Sequence, residues 1–344
     1  MSETANSWLN FLASQGAALK AEAQPGFTDF PEFPPLTSAK QGFLSALTHL
    51  GVIAVSGADA EDFLHNQLTN DVLGLDESTV RMAGYCSPKG RLLATLLIWK
   101  TGDQILMALP RASLPSVMKR LSMFVLRAKV VLKDVSDELV LIAGVTPTVD
   151  FVPPMPWMKI AKDEGALFRV PDALELQRFI WAGPVSAACL LWPRLAAQLP
   201  LASASLWRWS EIMAGLPQVV PATSEQFVPQ MINYELIGGV NFRKGCYPGQ
   251  EIVARSQYLG KLKRRTLLAY TDDLSAAAGM EVFSEADAGQ PCGLIVNAES
   301  GPDGRMACLV EIKLDAASAA IHLRSADGPL LILGSLPYEL RDPT

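Results

Sequence analysis

Phe242-Arg243-Lys244-Gly245-Cys246-Tyr247-Pro248-Gly249-Gln250-Glu251 sets one thiol among residues that shape backbone more than they fill space. Gly245 and Gly249 admit conformations and close approaches that a side chain would block, and Pro248 fixes its own φ. Lys244 and Arg243 stand immediately upstream, and cations beside a cysteine favour the thiolate, the reactive form. The run equally suits a small apolar residue in a tight strand-to-helix turn. The residues alone leave both readings open.

Around this run the chain is 344 residues long, with 49% hydrophobic and 19% charged residues, so it is expected to be globular with more than one core. No apolar run approaches the roughly 20 residues that span a bilayer. The start, Met1-Ser2-Glu3-Thr4, lacks the basic region and apolar stretch of a signal peptide, so a cytoplasmic location is expected. Cys86, Cys189, Cys246, Cys292 and Cys308 are odd in number and widely spaced, which points to neither a disulfide framework nor zinc ligation. His49, His65 and His322 are distant from one another and read as structural or surface residues. A net charge of −6 argues against a phosphate-tracking surface, so direct nucleic-acid binding is not expected. The densest basic stretch, Lys261, Lys263, Arg264 and Arg265 with Arg255, Arg243 and Lys244, suits either an anionic ligand or a solvated face.

Along the chain, Ser7 to Leu19 reads as a helix and Pro31 to Pro35 as a linker. A β-like run at Val52 to Val55 leads through Ser56-Gly57-Ala58-Asp59 into a short helix ending near Thr69-Asn70-Asp71. Val80 to Leu109 predicts an antiparallel meander, with Ser87-Pro88-Lys89-Gly90 and Lys100-Thr101-Gly102-Asp103 as turns. A helix over Leu114 to Leu126 and β-like runs at Lys129 to Leu132 and Leu139 to Ala143 follow, giving an α+β order. Val152 to Pro156 reads as a stiff connector. Trp207 and Trp209, read as core or ligand platform, precede a helix from Glu211 closed by Gly215 and Pro217. Short β-runs at Thr266–Tyr270, Gly293–Asn297, Met306–Ile312, Ile321–Arg324 and Leu330–Leu333 predict a small antiparallel barrel or sandwich, with a domain boundary near Leu259-Gly260. Neither a dinucleotide fingerprint nor a P-loop is present.

The run from Ser224-Glu225-Gln226-Phe227-Val228-Pro229-Gln230 through Gly238-Gly239-Val240 to Lys244–Glu251 and Ala254-Arg255 resembles the signature of YgfZ proteins. The likeness extends to Asn66–Val72, Cys86 with Lys89-Gly90, Ala214-Gly215-Leu216-Pro217 and Leu336-Pro337-Tyr338. It implies the aminomethyltransferase-like fold of the glycine-cleavage T protein, a tetrahydrofolate-type ligand, and support of iron–sulfur enzymes, including tRNA-thiolating ones. The layout it implies is a helix and linker over 1–30, a bilobed folate-binding region of two interleaved α+β domains over 31–259, a β-barrel over 260–344, and a monomer. It makes Cys246 the functional thiol, with Trp207, Leu50, Asn70, Lys244 and Arg255 at the folate. Two positions depart from the pattern. Leu50 replaces an aromatic pocket residue, a stacking contact worth ~1 kcal/mol, and Met213 stands where relatives carry an acid, leaving Glu211 as its substitute. A true aminomethyltransferase needs a carboxylate beside the reacting nitrogen. The resemblance places it after Lys89-Gly90, where Arg91-Leu92-Leu93-Ala94-Thr95 supplies none. An accessory role is therefore expected ahead of transferase or scaffold.

Overall fold

The computed structural model describes residues 3–17, 42–147, 149–258 and 262–341. Two compact units are formed, one from residues 1–60, 75–81 and 97–207, the other from residues 61–74, 82–96 and 208–344. The first part of the chain runs α1 (Glu3–Ser14), β1 (Phe43–Ala46), β2 (Leu50–Ser56), α2 (Ala60–His65), β3 (Val80–Cys86), β4 (Leu92–Thr101), β5 (Gln104–Pro110) and α3 (Leu114–Val125). It continues with β6 (Val131–Asp134), β7 (Leu139–Thr146), β8 (Lys159–Lys162), β9 (Gly165–Ala173), β10 (Leu176–Pro184), α4 (Val185–Ala196) and α5 (Ala204–Met213). After α6 (Gln250–Tyr258) come β11 (Arg264–Thr271), β12 (Glu281–Ser284), β13 (Gly293–Ser300), β14 (Met306–Lys313), β15 (Ile321–Leu323) and β16 (Leu330–Gly334).

The first unit is organised by a sheet in the order β1-β7-β10-β9-β8, whose strands β1, β7 and β10 are buried on both faces. Successive side chains of a strand alternate between faces. Leu141, Ala143 and Val145 of β7 and Ile180 and Ala182 of β10 enter one core with Val52, Trp99 and Leu106. Val140, Ile142, Phe179 and Trp181 enter the other, with Trp8 and Leu12 of α1 and Trp192 of α4. There the Trp8 and Trp192 rings meet edge-on, 5.9 Å between centroids. A second sheet, ordered β3-β4-β5-β2-β6, contains the expected meander β3-β4-β5.

Six strands ordered β11-β14-β13-β12-β15-β16 close into a barrel in the second unit, because β11 pairs with both β14 and β16. Closure removes the free edges of a small antiparallel sheet. Ala269, Val282, Ile295, Cys308, Val310 and Leu323 fill it.

Several boundaries differ from the sequence reading. Helix α2 ends at His65 and not near Thr69-Asn70-Asp71, because Leu68 bridges to Tyr85 and Thr69 is drawn into extended pairing, its amide donating to Gly84 O at 2.9 Å. Trp207 and Trp209 lie inside α5 and do not precede it; Gly215, at φ +67°, ends the turn as expected. The reading also passed over β1, β8, β9, β10, α4 and β12. Leu19, Lys261, the Pro31 to Pro35 linker and the boundary near Leu259-Gly260 lie outside the described residues.

Candidate functional site

Between Gly239 and Gly249 the second unit has no regular structure, so the Cys246 loop must be held by other means. The short strip at Thr69-Asn70 does much of it. Thr69 Oγ1 donates to Gly239 O at 2.6 Å, and the Asn241 amide donates to Thr69 O at 2.9 Å. Asn70 Nδ2 donates to Met82 O at 2.6 Å and Gly238 O at 2.7 Å. Both amide protons of Asn70 are thus committed to backbone, and its role here is to fasten the loop.

Lys244 fastens the loop to the end of α2. Its Nζ donates to His65 O at 2.6 Å and Gly245 O at 3.0 Å, and it stands 4.8 Å from the Tyr247 ring centroid. Burial pushes its ammonium down to about 8, against the opposing pull of the Asp71 and Cys246 charges. Cys246 itself is exposed. Burial pushes the thiols of Cys86 and Cys308 up to about 12 and raises those of Cys189 and Cys292. Of the five cysteines, Cys246 is the one presented to solvent in the manner of a reactive thiol.

The far side of the loop rests on the turn Ser87-Pro88-Lys89-Gly90. Gly249 has φ +79°, and a Cβ there would lie 2.5 Å from Gly90 Cα, Gly90 N and Ser87 O. Gly90, at φ +69°, has no more room, since a Cβ would lie 2.8 Å from that of Ile252. Two stretches the sequence marked separately are therefore packed backbone to backbone, which only glycine permits. Arg91, just beyond, donates to the carbonyls of Gln226 and Glu225.

His65, expected as a structural or surface residue, is buried within this cluster. Its Nδ1 lies 3.2 Å from Asp71 Oδ1 and 3.3 Å from the Val72 amide nitrogen. One ring nitrogen cannot donate to the carboxylate and accept from the amide at once, so the two contacts belong to different tautomers. Burial and then Lys244 lower its pKa, which favours the neutral ring. The Nε2 side faces Gly245, 3.6 Å from where a Cβ on that glycine would stand. The sequence signal was its position immediately before Asn66–Val72.

The remaining expected residues fall in two places. Arg255 is exposed on α6, in the second unit with Lys244, Asn70 and Cys246. In the first unit, Trp207 is fully buried, with the Arg178 guanidinium 4.2 Å from its ring centroid, and Leu50 packs against the same core. Arg178 gave no sequence signal beyond a lone charge in an apolar run. Glu211 lines a second-unit pocket of about 170 Å³ with Arg208 and Glu299, and the Met213 sulfur accepts from Tyr270 Oη at 3.7 Å. Among the described residues, no three His, Cys, Asp or Glu side chains gather as a metal site, and no helix is long and apolar enough to cross a membrane.

No family model matches the chain. It is 30% identical over 330 residues to the tRNA-modifying protein YgfZ of Klebsiella pneumoniae (strain 342), covering 92% of this chain and 99% of that one. The protein of the same name from Colwellia psychrerythraea (strain 34H / ATCC BAA-681) is 31% identical over 243 residues, 69% of this chain and 74% of the relative. Among solved structures, the glycine cleavage system aminomethyltransferase T of Bartonella henselae superposes with a TM-score of 0.76 over 95% of both chains at 15% identity, which shows the fold alone.

Proposed function

The chain belongs to the YgfZ family of tRNA-modifying proteins, and from that premise we propose that it binds a reduced folate and uses Cys246 to support assembly or repair of iron–sulfur enzymes, tRNA-thiolating ones among them. The observation that carries the reading is the exposed Cys246 thiol, held on a loop clamped by Lys244, Asn70 and the Gly90–Gly249 contact. A thiol kept only for packing would be buried like Cys86 or Cys308.

Residues of the second unit fit a folate in two respects. Lys244 donates to two carbonyls and retains a third N–H for an anion, and Arg255 adds a second cation to the same unit. Gln67 Oε1 and Ser87 Oγ are buried oxygens with no partner among the described residues, suited to the N–H groups of a pterin. In the first unit, Trp207 and Leu50, also expected at a folate, pack in that unit's core, Trp207 fully buried with the Arg178 guanidinium over its ring. When bound, the folate would supply one-carbon or redox chemistry; Lys244 and Arg255 would hold its carboxylates.

Calorimetry with tetrahydrofolate tests the ligand. Saturable binding is expected, weakened in Lys244→Gln. No saturable affinity for reduced folates would remove the ligand from the proposal. The accessory role is tested by complementation: Cys246→Ala should fail to restore iron–sulfur enzyme activity in a deletion strain, and full restoration would refute it.

A further inference from the structure

From Ile105 to Lys133 the chain carries no acidic residue and six cations, Arg111, Lys119, Arg120, Arg127, Lys129 and Lys133, although its net charge is −6. Two of these are spoken for, Arg111 by Asp137 at 2.6 Å and Lys133 by Glu138 at 2.8 Å. Among the described residues, no ion pair engages Lys119, Arg120, Arg127 or Lys129. The acids on adjoining elements are otherwise occupied: Asp59 accepts from the Lys129 amide at 2.7 Å, and Asp134 from the Ser136 amide at 3.0 Å.

The same stretch is unusually apolar at its surface. Helix α3 spends Leu114, Val117 and Leu121 on the core. Beyond them Met123 is 59% exposed, Phe124 43%, Leu126 86% and Val131 61%. On a helix, residues four apart are neighbours, so Lys119 lies beside Met123 and Arg120 beside Phe124. Leu126 holds φ +47° at the helix end, a conformation costly for a branched side chain, and still faces solvent. Together these make an apolar centre with a cationic rim, the composition of a protein interface.

We propose that residues 119–131, the end of α3 and the turn into β6, are a docking surface for an acidic segment of a protein partner. The partner's apolar side chains seat on Met123, Phe124, Leu126 and Val131, and its carboxylates meet Lys119, Arg120, Arg127 and Lys129. A single-stranded nucleic acid calls for a row of stacking rings, and Phe124 is the one aromatic here. A helix lying on a lipid surface presents an apolar face along its whole length, whereas Leu114, Val117 and Leu121 of α3 are turned into the core and its exposed large apolar residues are confined to the last turn. The surface is independent of the Cys246 reading and stands or falls without it.

The test places a photoreactive amino acid at Ser122, an exposed position on the last turn of α3, in the full-length chain inside cells. The expected result is a covalent adduct with a protein whose joined peptide has more Asp and Glu than Lys and Arg. Its yield should fall about tenfold in a Lys119→Glu, Arg127→Glu variant. A synthetic copy of that peptide should bind the purified chain and weaken with added salt. Should the double variant unfold early, Leu126→Asp supplies a second perturbation at a side chain with little packing to lose. Adducts with RNA, lipid, a second copy or residues 18–41 of the same chain would overturn the proposal, as would no adduct or one indifferent to both variants.

Discussion

Substituting Gly249 by alanine should separate the Cys246 loop from the turn beneath it, and the structure says by how much. Two costs apply. Placing an L-residue at φ +79° costs ~1–2 kcal/mol. The added Cβ also meets Gly90 Cα, Gly90 N and Ser87 O, all at 2.5 Å and all backbone, so no side chain can swing aside to admit it. Moving one segment off the other adds ~1–3 kcal/mol, the usual cost of overpacking. Gly238 is the control: its φ is +81°, and a Cβ there has nothing within 4 Å, so Gly238→Ala carries the first cost alone. With a urea slope of about 2 kcal/mol/M, the midpoint of Gly249→Ala followed by circular dichroism should fall about 1 M further than that of Gly238→Ala. Cys246 alkylation should change in the first variant and not in the second. Coincident midpoints would mean that the Gly90–Gly249 approach does not hold the loop, and the packing argument would be wrong.

Four further outcomes are expected. Brief treatment of the native chain with iodoacetamide should label Cys246 ahead of the other four cysteines, mapped by mass spectrometry; prior labelling of Cys86, pushed up to about 12 by burial, would contradict the burial argument. Lys244 should acylate ahead of ordinary lysines with a midpoint near pH 8, seen by peptide mapping across pH. Because its folded pKa lies below the unfolded value, the unfolded chain holds the proton that the fold has released, so stability contributed here rises with pH from about 8 towards 10.5; a urea midpoint that falls over that window in wild type relative to Lys244→Gln contradicts the sign. Arg265 is buried against Glu235 and also donates to Gln230 O at 3.0 Å and Arg341 O at 2.9 Å. Arg265→Leu should therefore cost ~3–5 kcal/mol by stranding the carboxylate, and adding Glu235→Leu should recover much of it, read by urea denaturation of both variants.

What was legible in the sequence follows how each segment meets water. The meander announced itself through turns that solvent and backbone geometry demand, Ser87-Pro88-Lys89-Gly90 and Lys100-Thr101-Gly102-Asp103, and most barrel strands through short β-runs. Strand β10 did not, because a strand covered on both faces loses the period-two alternation: its residues from Leu176 to Gly183 are all buried, Arg178 included. Helix α4 was hidden for a related reason, since Val185, Ala188, Leu191 and Trp192 pack inward from a segment that already looked uniformly apolar. At the site, the Cys246 run was readable as a specific pattern of glycines and a thiol. Its fastening was not, because most of it is made by backbone carbonyls, which every residue carries.

That distinction bears on the role of Lys244. A lysine placed only to polarise a neighbouring thiol would need no more than proximity, yet this one donates to His65 O and Gly245 O and pays for burial with an ammonium lowered to about 8. The bond to His65 O ties the Cys246 loop to the turn carrying the His65–Asp71 contact, so the charge of Lys244 and the tautomer of His65 are set in one place. Lys244→Arg tests whether this geometry matters beyond charge. The guanidinium keeps the positive charge but is planar and bulkier, and cannot reproduce the two-carbonyl clamp of a compact ammonium over the Tyr247 ring. If the clamp is required, Lys244→Arg should fail complementation much as Lys244→Gln does, while its Cys246 alkylation rate stays nearer to wild type than that of Lys244→Gln. Full complementation by Lys244→Arg would reduce the role of Lys244 to its charge.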